Sequence, residues 1–465
     1  MSKIYIFGIG GTGSRVLRSL TMLLAAGVKF GAEEVVPIIV DPDASNADLT
    51  RAVSLLNNYA SIRSDLNFTP ENESRFFRTG IEQIMPNYTL RVKDTDDKSF
   101  KQFIGYASMS KSNQALTKML FSDKNLESSM EVGFKGNPNI GSVVLNQVSQ
   151  SADFESFANS FSAGDRIFII SSIFGGTGAS GFPLLLKTLR NGTNFPNHDI
   201  INNATIGALT ILPYFKLKQS DESEIDSSTF ISKTKSALAY YENNIIKNGS
   251  IDALYYLADD VAGIYENHEG GSAQQNDAHL IEFLGATAIV DFSNAKFMGT
   301  ANMELGLRDT ESAITFSTFY YKMKEMLYYP LVQFTLMANA LTHDLSKINS
   351  SRFSGNAGNF ENFYDGRFFN ELSTFLRKYQ EWLKELKNNK RSLNLFNETC
   401  GDRTFELVTG VKPKKILSRY SDIWLVIDRL NTAVKKECKS KGAENKFLEM
   451  FSLGTKKLVK DKLSN

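Results

Sequence analysis

The chain is short of cysteine, of net charge and of long uninterrupted apolar runs, and each shortage closes a route. Cys400 and Cys438 are the only cysteines, too few for a disulfide framework or a cysteine-based zinc site, and such usage suits a reducing compartment. Lysine plus arginine (52) nearly cancels aspartate plus glutamate (51), so no bulk basic field drives non-specific nucleic-acid binding. His198, His268, His279 and His343 have no metal-like spacing. The longest uncharged stretch, Met326 to His343, is interrupted by Pro330 and carries Gln333 and Asn339, which predicts a buried helix rather than a membrane span. The opening Met1-Ser2-Lys3-Ile4-Tyr5-Ile6-Phe7 reads as a strand and not as a signal peptide. A cytoplasmic protein with neither a nucleic-acid partner nor a membrane span is expected. A G-x-x-x-x-G-K-[ST] run is also missing, so any bound phosphate would be met by backbone N–H groups and metal rather than by a P-loop lysine.

What is present is a pair of glycine loops. Gly8-Ile9-Gly10-Gly11-Thr12-Gly13-Ser14 and Gly175-Gly176-Thr177-Gly178-Ala179-Ser180-Gly181 each follow an apolar strand-like run and open a helix-like one. Without Cβ the backbone can approach phosphate oxygens closely, and the following helix N-terminus adds partial positive charge. Ile4 to Phe7, Val35 to Val40, Arg166 to Ser171, Thr205 to Leu212 and Leu254 to Leu257 read as strands buried on both faces. Helical patterns between them, such as Val16 to Leu24 and Pro183 to Leu189, predict an α/β fold with a doubly wound parallel sheet. From about Ala313 the character changes to aromatic, lysine- and glutamate-rich helical segments, Phe316 to Leu341, Phe360 to Asn388 and Lys415 to Lys436. Ser350 to Gly358 reads as a loop, and Leu453 to Asn465 as a polar, lysine-rich end prone to fraying. Two domains are expected: residues 1–300, including a core helix at about 276–290, and a mostly α-helical region at 301–465.

Five segments in order resemble the nucleotide-binding half of the tubulin/FtsZ superfamily. The Gly8 to Ser14 loop is similar to the family's first phosphate loop, and Gly133-Phe134-Lys135-Gly136-Asn137-Pro138-Asn139-Ile140-Gly141 resembles the loop that commonly reads G-A-G-x-N-P-x-x-G in FtsZ. Phe174 to Gly181 resembles the signature G-G-G-T-G-[ST]-G, with phenylalanine in place of the first glycine and alanine before the serine. Ile211-Leu212-Pro213-Tyr214-Phe215 is similar to the strand end before the ribose-contacting loop, which would put the ribose acid among Asp221, Glu222 and Glu224. Ile251 to Asp260 resembles the FtsZ strand V-D-x-L-I-V-I-x-N-D and is followed by Asn276-Asp277-Ala278-His279 opening the core helix.

The resemblance covers residues 1–300 and implies a guanine nucleotide, GTP or GDP, held with Mg²⁺. The implied cradle is Gly10, Gly11, Thr12, Gly13, Gly136, Asn137, Gly175, Gly176, Thr177 and Gly178, with Asp41 nearby and Asn276 or Asp277 on the base edge. It further implies a GTPase that self-associates into filaments, with acids after the core helix completing the neighbouring subunit's site; Glu304 and Asp309 are the candidates here. The helical tail departs from the family's mixed-sheet second domain and offers itself to a protein partner.

Other readings stand beside this one. The chain could bind nucleotide without turnover, as a sensor or scaffold in a bacterial multi-protein system such as defence. Gly8 to Ser14 with Asp41-Pro42-Asp43 also resembles elements of ThiF-type adenylating enzymes. Asp41-Pro42-Asp43 is either a Mg²⁺ or ribose contact or a capped turn, exposed in both cases. Asp291, Glu304 and Asp309 also read as ordinary cap or surface acids, and His279 as a packed, hydrogen-bonded residue.

Overall fold

In the computed structural model the described residues are 2–43, 45–92, 95, 97–130, 134, 137–217, 230–259, 264–265, 275–296, 301–304, 313–348, 360, 363–398, 403–414 and 421–463. Side chains of 217, 264–265 and 301–304 are outside that description. The strands are β1 (Lys3–Ile9), β2 (Glu34–Val40), β3 (Gly80–Ile81), β4 (Arg166–Ser172), β5 (Thr205–Ile211), β6 (Lys216–Leu217), β7 (Ala253–Leu257), β8 (Ile264–Tyr265) and β9 (Ala301–Glu304). Seven of them form one sheet in the order β3-β2-β1-β4-β5-β7-β9, and every pairing is parallel. The strands β6 and β8 pair separately.

The helices that position the site are α1 (Gly10–Ala25), α2 (Ala47–Ser64), α3 (Pro138–Leu145), α4 (Ala152–Ser160), α5 (Gly176–Asn191), α6 (Phe230–Tyr241) and α7 (Leu280–Asn294). The last four named are α8 (Tyr321–His343), α9 (Arg367–Asn388), α10 (Asp422–Lys436) and α11 (Ala443–Lys462). The sheet is covered on both faces, as the alternation of β1 shows. Tyr5 and Phe7 pack edge-on against Phe157 of α4 at 5.3 and 5.0 Å between ring centroids. Gly8, one position out of phase, faces Leu17 and Gly13 of α1. The doubly wound fold expected from the sequence is the one observed, with five of its strands where the apolar runs lie.

The helical region is docked onto the sheet domain. Trp382 of α9 is fully buried and its indole N–H donates to Ser19 Oγ at 3.3 Å. Its neighbour Tyr379 meets Thr335 of α8 at 2.9 Å. The C-terminal end corrects the fraying expected of it. The helix α11 runs to Lys462, and Leu453, Leu458, Val459 and Leu463 are buried while Lys456, Lys457 and Lys460 face outward. The lysines are one face of an amphipathic helix whose other face is core. Ser350 to Gly358 and part of Lys415 to Lys436 lie outside the described residues. Among the described residues no helix is long and apolar enough to cross a membrane.

Candidate functional site

The two central strands β1 and β4 are neighbours at the point where the strand order reverses, and crevices at such switch points hold ligands in open α/β sheets. Register puts the exits of four strands along one edge, since Ile9 pairs with Val40, Gly8 with Ile170, and Ser172 with Ile211. Both glycine loops therefore leave the same edge of the sheet side by side. A Cβ built on Gly10 would lie 3.5 Å from Thr177 Cβ, so the early and late loops touch across the crevice. Gly10 itself has φ of +69°, a conformation costly for any residue with a side chain.

The helices behind these loops have unusual ends. α1 starts after Ile9, α5 after Gly175 and α3 after Asn137, in each case with no side-chain cap and no acid in the first turn. The first four N–H groups of a helix need acceptors from outside it. By contrast α7, in the same domain, carries a full capping box of His279 with Glu282. The α3 and α5 starts are tied together, because a Cβ on Gly141 would fall 2.2 Å from Ser180 Oγ. These contacts lie one turn in from Asn137 and Gly176 respectively. The sequence-expected Gly10 to Gly13, Gly175 to Gly178 and Asn137 are thus gathered at one edge of the fold, while Gly136 lies outside the described residues.

Two of these glycines have a packing role of their own. A Cβ on Gly13 would sit 2.3 Å from the Gly8 carbonyl carbon, and one on Gly178 would sit 2.6 Å from the Ser172 carbonyl oxygen. Those two glycines let a helix press against its own strand. Gly11 differs: its nearest foreign atoms would be Asn46 Nδ2 at 3.6 Å and Arg15 Nη1 at 3.9 Å. Phe174, where the superfamily signature has glycine, is buried among Phe215, Phe230 and Tyr214 at 5.6, 5.0 and 6.3 Å. It anchors the loop in an aromatic cluster.

Asp41 and Asp43 are only 6% and 3% exposed, which corrects the exposed position expected for them. The turn folds back on itself: Asp41 Oδ1 accepts from the Asp43 N–H at 3.1 Å, and Asp43 Oδ1 accepts from the Ser45 N–H and hydroxyl. Burial, with Asp43 and Asp48 adding like charge, pushes the Asp41 carboxyl up to about 7. Asn46, which sequence reasoning missed, caps α2 by accepting from the Asp48 and Leu49 N–H groups and turns its Nδ2 toward Gly11. An Asn ahead of a helical run is the signal that would have marked it.

Asn276 sits in a buried polar network that the sequence did not reveal. Its Nδ2 donates to Asp48 Oδ2 at 2.8 Å, its N–H to Asp48 Oδ1 at 3.1 Å, and its carbonyl accepts from Arg51 at 3.0 Å. Asp48 also accepts from Arg15 Nη1 at 3.1 Å, and Arg15 continues to Glu282 and to the Tyr214 hydroxyl. His279 Nδ1 accepts from the Ile281 N–H at 3.1 Å and its ring lies 4.7 Å from that of Tyr214. Burial, then the charges of Arg15 and Arg391, hold this imidazole down to about 3, so it is neutral. The packed, hydrogen-bonded role expected for His279 is what is observed. Beyond the network, Glu385 of α9 accepts from Arg18 at 2.7 Å, from Arg51, and from the Ala278 N–H at 2.9 Å.

Of the candidate catalytic acids only the Glu304 backbone falls within the described residues. Glu304 ends β9, paired with Tyr256 of β7, and its side chain is outside the description, as are Asp309, Asp221, Glu222 and Glu224 altogether. Asp291, read as a cap or surface acid, is 6% exposed, accepts from the Tyr255 hydroxyl at 3.0 Å and pairs with Lys322. Among the described residues no three His, Cys, Asp or Glu side chains gather as a metal-binding set.

Comparison with known proteins gives no family model that matches and no curated protein that matches. Solved structures do match in part. CetZ from Methanosaeta thermophila strain DSM 6194 is 16% identical over 56% of this chain and 46% of its own, with a TM-score of 0.29. CetZ2 from Haloferax volcanii, solved as a GTPγS-bound protofilament, is 15% identical over 63% of this chain and 58% of its own, with a TM-score of 0.31. The chain spans about half the length of these two proteins.

Proposed function

We propose that this chain is a tubulin/FtsZ-like protein that binds a guanine nucleotide with Mg²⁺ in its first 300 residues, hydrolyses GTP to GDP and phosphate, and self-associates. The observation that carries the reading is the meeting of Gly10 with Thr177, at 3.5 Å from the built Cβ, between two uncapped helix starts. Separate stretches of main chain thereby bring two helix N-termini without side-chain caps to one crevice, which suits a polyphosphate. Asn137 at the start of α3 and Asn46 beside Gly11 stand at its rim.

Asp41 and Asp43 fit the metal. Mg²⁺ takes one or two carboxylates and fills its remaining positions with phosphate oxygens and water. A buried carboxyl pushed up to about 7 beside two other acids is one whose ionised form lacks a cation. When bound, the ion would neutralise charge shared between adjacent phosphates. The chain's part is to fix the phosphates through the two loops and to seat the base near Asn276, whose carboxamide Asp48 holds in place. Glu304 and Asp309 would orient the attacking water of a neighbouring subunit's site.

Mass spectrometry of nucleotide released from denatured, freshly purified protein tests the binding claim, and GTP or GDP is the expected species. A purified, folded protein with neither bound guanine nucleotide nor measurable affinity for it would overturn the reading. Phosphate release that rises with protein concentration and disappears in Glu304→Ala/Asp309→Ala supports the assembling GTPase. Tight nucleotide without release supports a sensor or scaffold instead. The direct tie of α9 to the Asn276 turn, through Glu385 and the Ala278 N–H, supports that second reading, because it links the helical region to the segment proposed to meet the base.

A further inference from the structure

The helical region holds a cleft of its own. It encloses about 1090 Å³ and is walled by the end of α9, the 403–414 segment, the start of α10 and the end of α11, sharing no residue with the glycine-loop crevice. That volume lies slightly above the roughly 300–1,000 Å³ usual for small-molecule sites. Among the described residues its wall carries five cations, Lys387, Arg403, Lys412, Lys414 and Lys462, against two carboxylates, Glu406 and Asp422, with Lys387 itself paired to Glu398 at 3.6 Å. Both acids are already engaged. Glu406 pairs with Arg403 at 3.0 Å, and Asp422 Oδ2 accepts from the Phe405 N–H at 3.2 Å.

Lys462 is the informative member. The residue is 7% exposed, yet among the described residues no carboxylate lies within 4.0 Å of its ammonium. What the ammonium has is the Phe405 ring, 5.2 Å from Nζ to the centroid. An ammonium that lines a cleft without a counter-charge is short of partners, and an aromatic face or the negative end of a helix supplies only part of what it lacks. The 403–414 segment is fastened beside it, since the Lys414 N–H donates to the Lys462 carbonyl at 2.8 Å. Phe405 and Val408 are buried and supply an apolar wall to the same cleft.

We propose that this cleft is a second ligand site, for an organic phosphate whose charged end sits on Lys462 and whose apolar body lies against Phe405 and Val408. Lysines are compact point charges with freely directed N–H donors, which suits a phosphate dianion, whereas the planar fork of Arg403 is committed to Glu406. The exposed Lys412 and Lys414 stand where they would attract the anion. The proposal is independent of the nucleotide reading.

Isothermal titration of naphthyl phosphate into the full chain, run with and without excess GDP, tests it, with naphthol as the neutral control and naphthoate as the carboxylate control. Binding of the phosphate alone is expected, weakened about tenfold or more in Lys462→Met and partly restored in Lys462→Arg, as for loss of a charge-assisted hydrogen bond. Lys412→Ala/Lys414→Ala, at exposed positions, is expected to weaken binding without touching the melting temperature. Absence of binding to the wild-type chain, equal binding by folded Lys462→Met, or preference for naphthoate or naphthol would overturn the assignment. GDP affinity, measured in the same variants, reads the glycine-loop crevice separately and is expected to stay unchanged.

Discussion

Two glycines two residues apart should fail in opposite ways. Gly11→Ala adds a methyl whose nearest foreign atoms are the side-chain nitrogens of Asn46 and Arg15 at 3.6 and 3.9 Å, ordinary contact distances. Replacing a helical glycine by alanine stabilises by about 0.5–1 kcal/mol where the backbone permits it, so the variant should melt at or slightly above the wild-type temperature. Gly13→Ala puts the same methyl 2.3 Å from the Gly8 carbonyl carbon and 2.6 Å from Gly8 Cα, the backbone of a central strand. The helix must lift off the sheet, loosening Val16, Leu17 and Leu20, all at most 1% exposed, and overpacking of this kind costs about 1–3 kcal/mol or more. If the first loop holds phosphate, the Gly11 methyl intrudes on donors that meet the anion, each worth about 1.5–3 kcal/mol. GDP affinity should then drop about 10- to 100-fold while the fold is intact. Thermal melts with and without saturating GDP separate the effects, because ligand stabilisation follows RT ln(1 + [L]/Kd). A folded Gly11→Ala protein that keeps wild-type GDP affinity would refute the assignment of this loop to phosphate.

Two buried titrating groups should tilt stability in opposite directions with pH. Asp41, raised from 3.8 to about 7 by burial, keeps in the folded state a proton that the unfolded chain releases, so stability falls as pH rises from 4 to 7, by up to about 4 kcal/mol. Asp41→Asn should remove that slope in urea titrations across the window. His279, lowered from 6.5 to about 3 by burial, then Arg15 and Arg391, binds its proton only in the unfolded chain, so stability falls as pH drops from 6.5 toward 3. His279→Asn keeps a good helix cap and should flatten that limb, while His279→Ala should cost about 1 kcal/mol at pH 8 through loss of the cap. Glu385→Ala leaves Arg18, whose side chain is 10% exposed, without its counter-ion and strips an acceptor from the Ala278 N–H. It should destabilise the chain by about 2–4 kcal/mol with an unchanged denaturant slope.

How far the sequence could be read depended on whether an element carries its own pattern. Ile4 to Phe7 or Arg166 to Ser171, apolar on both faces and followed by glycine, announce buried parallel strands, and their loops had to share one edge of the sheet. The two-residue β3 and four-residue β9 exist only because β2 and β7 offer them unpaired backbone, and nothing in Gly80-Ile81 or Ala301 to Glu304 proclaims this. The acids were misjudged for a related reason. Asp41-Pro42-Asp43 has the composition of an exposed turn, and nothing in that composition shows that both acids are buried, Asp41 Oδ1 accepting from the Asp43 N–H and Asp43 Oδ1 from Ser45. Asn276 shows the limit most clearly. Its position ahead of an apolar helix was legible, but its partner Asp48 lies 228 residues away, and no local spacing specifies which carboxylate that will be. A side chain whose amide is fixed by such a partner is oriented before any ligand is met, so the long-range hydrogen bond, invisible in the sequence, is what would make this Asn, on the proposed reading, a selective contact rather than a mobile one.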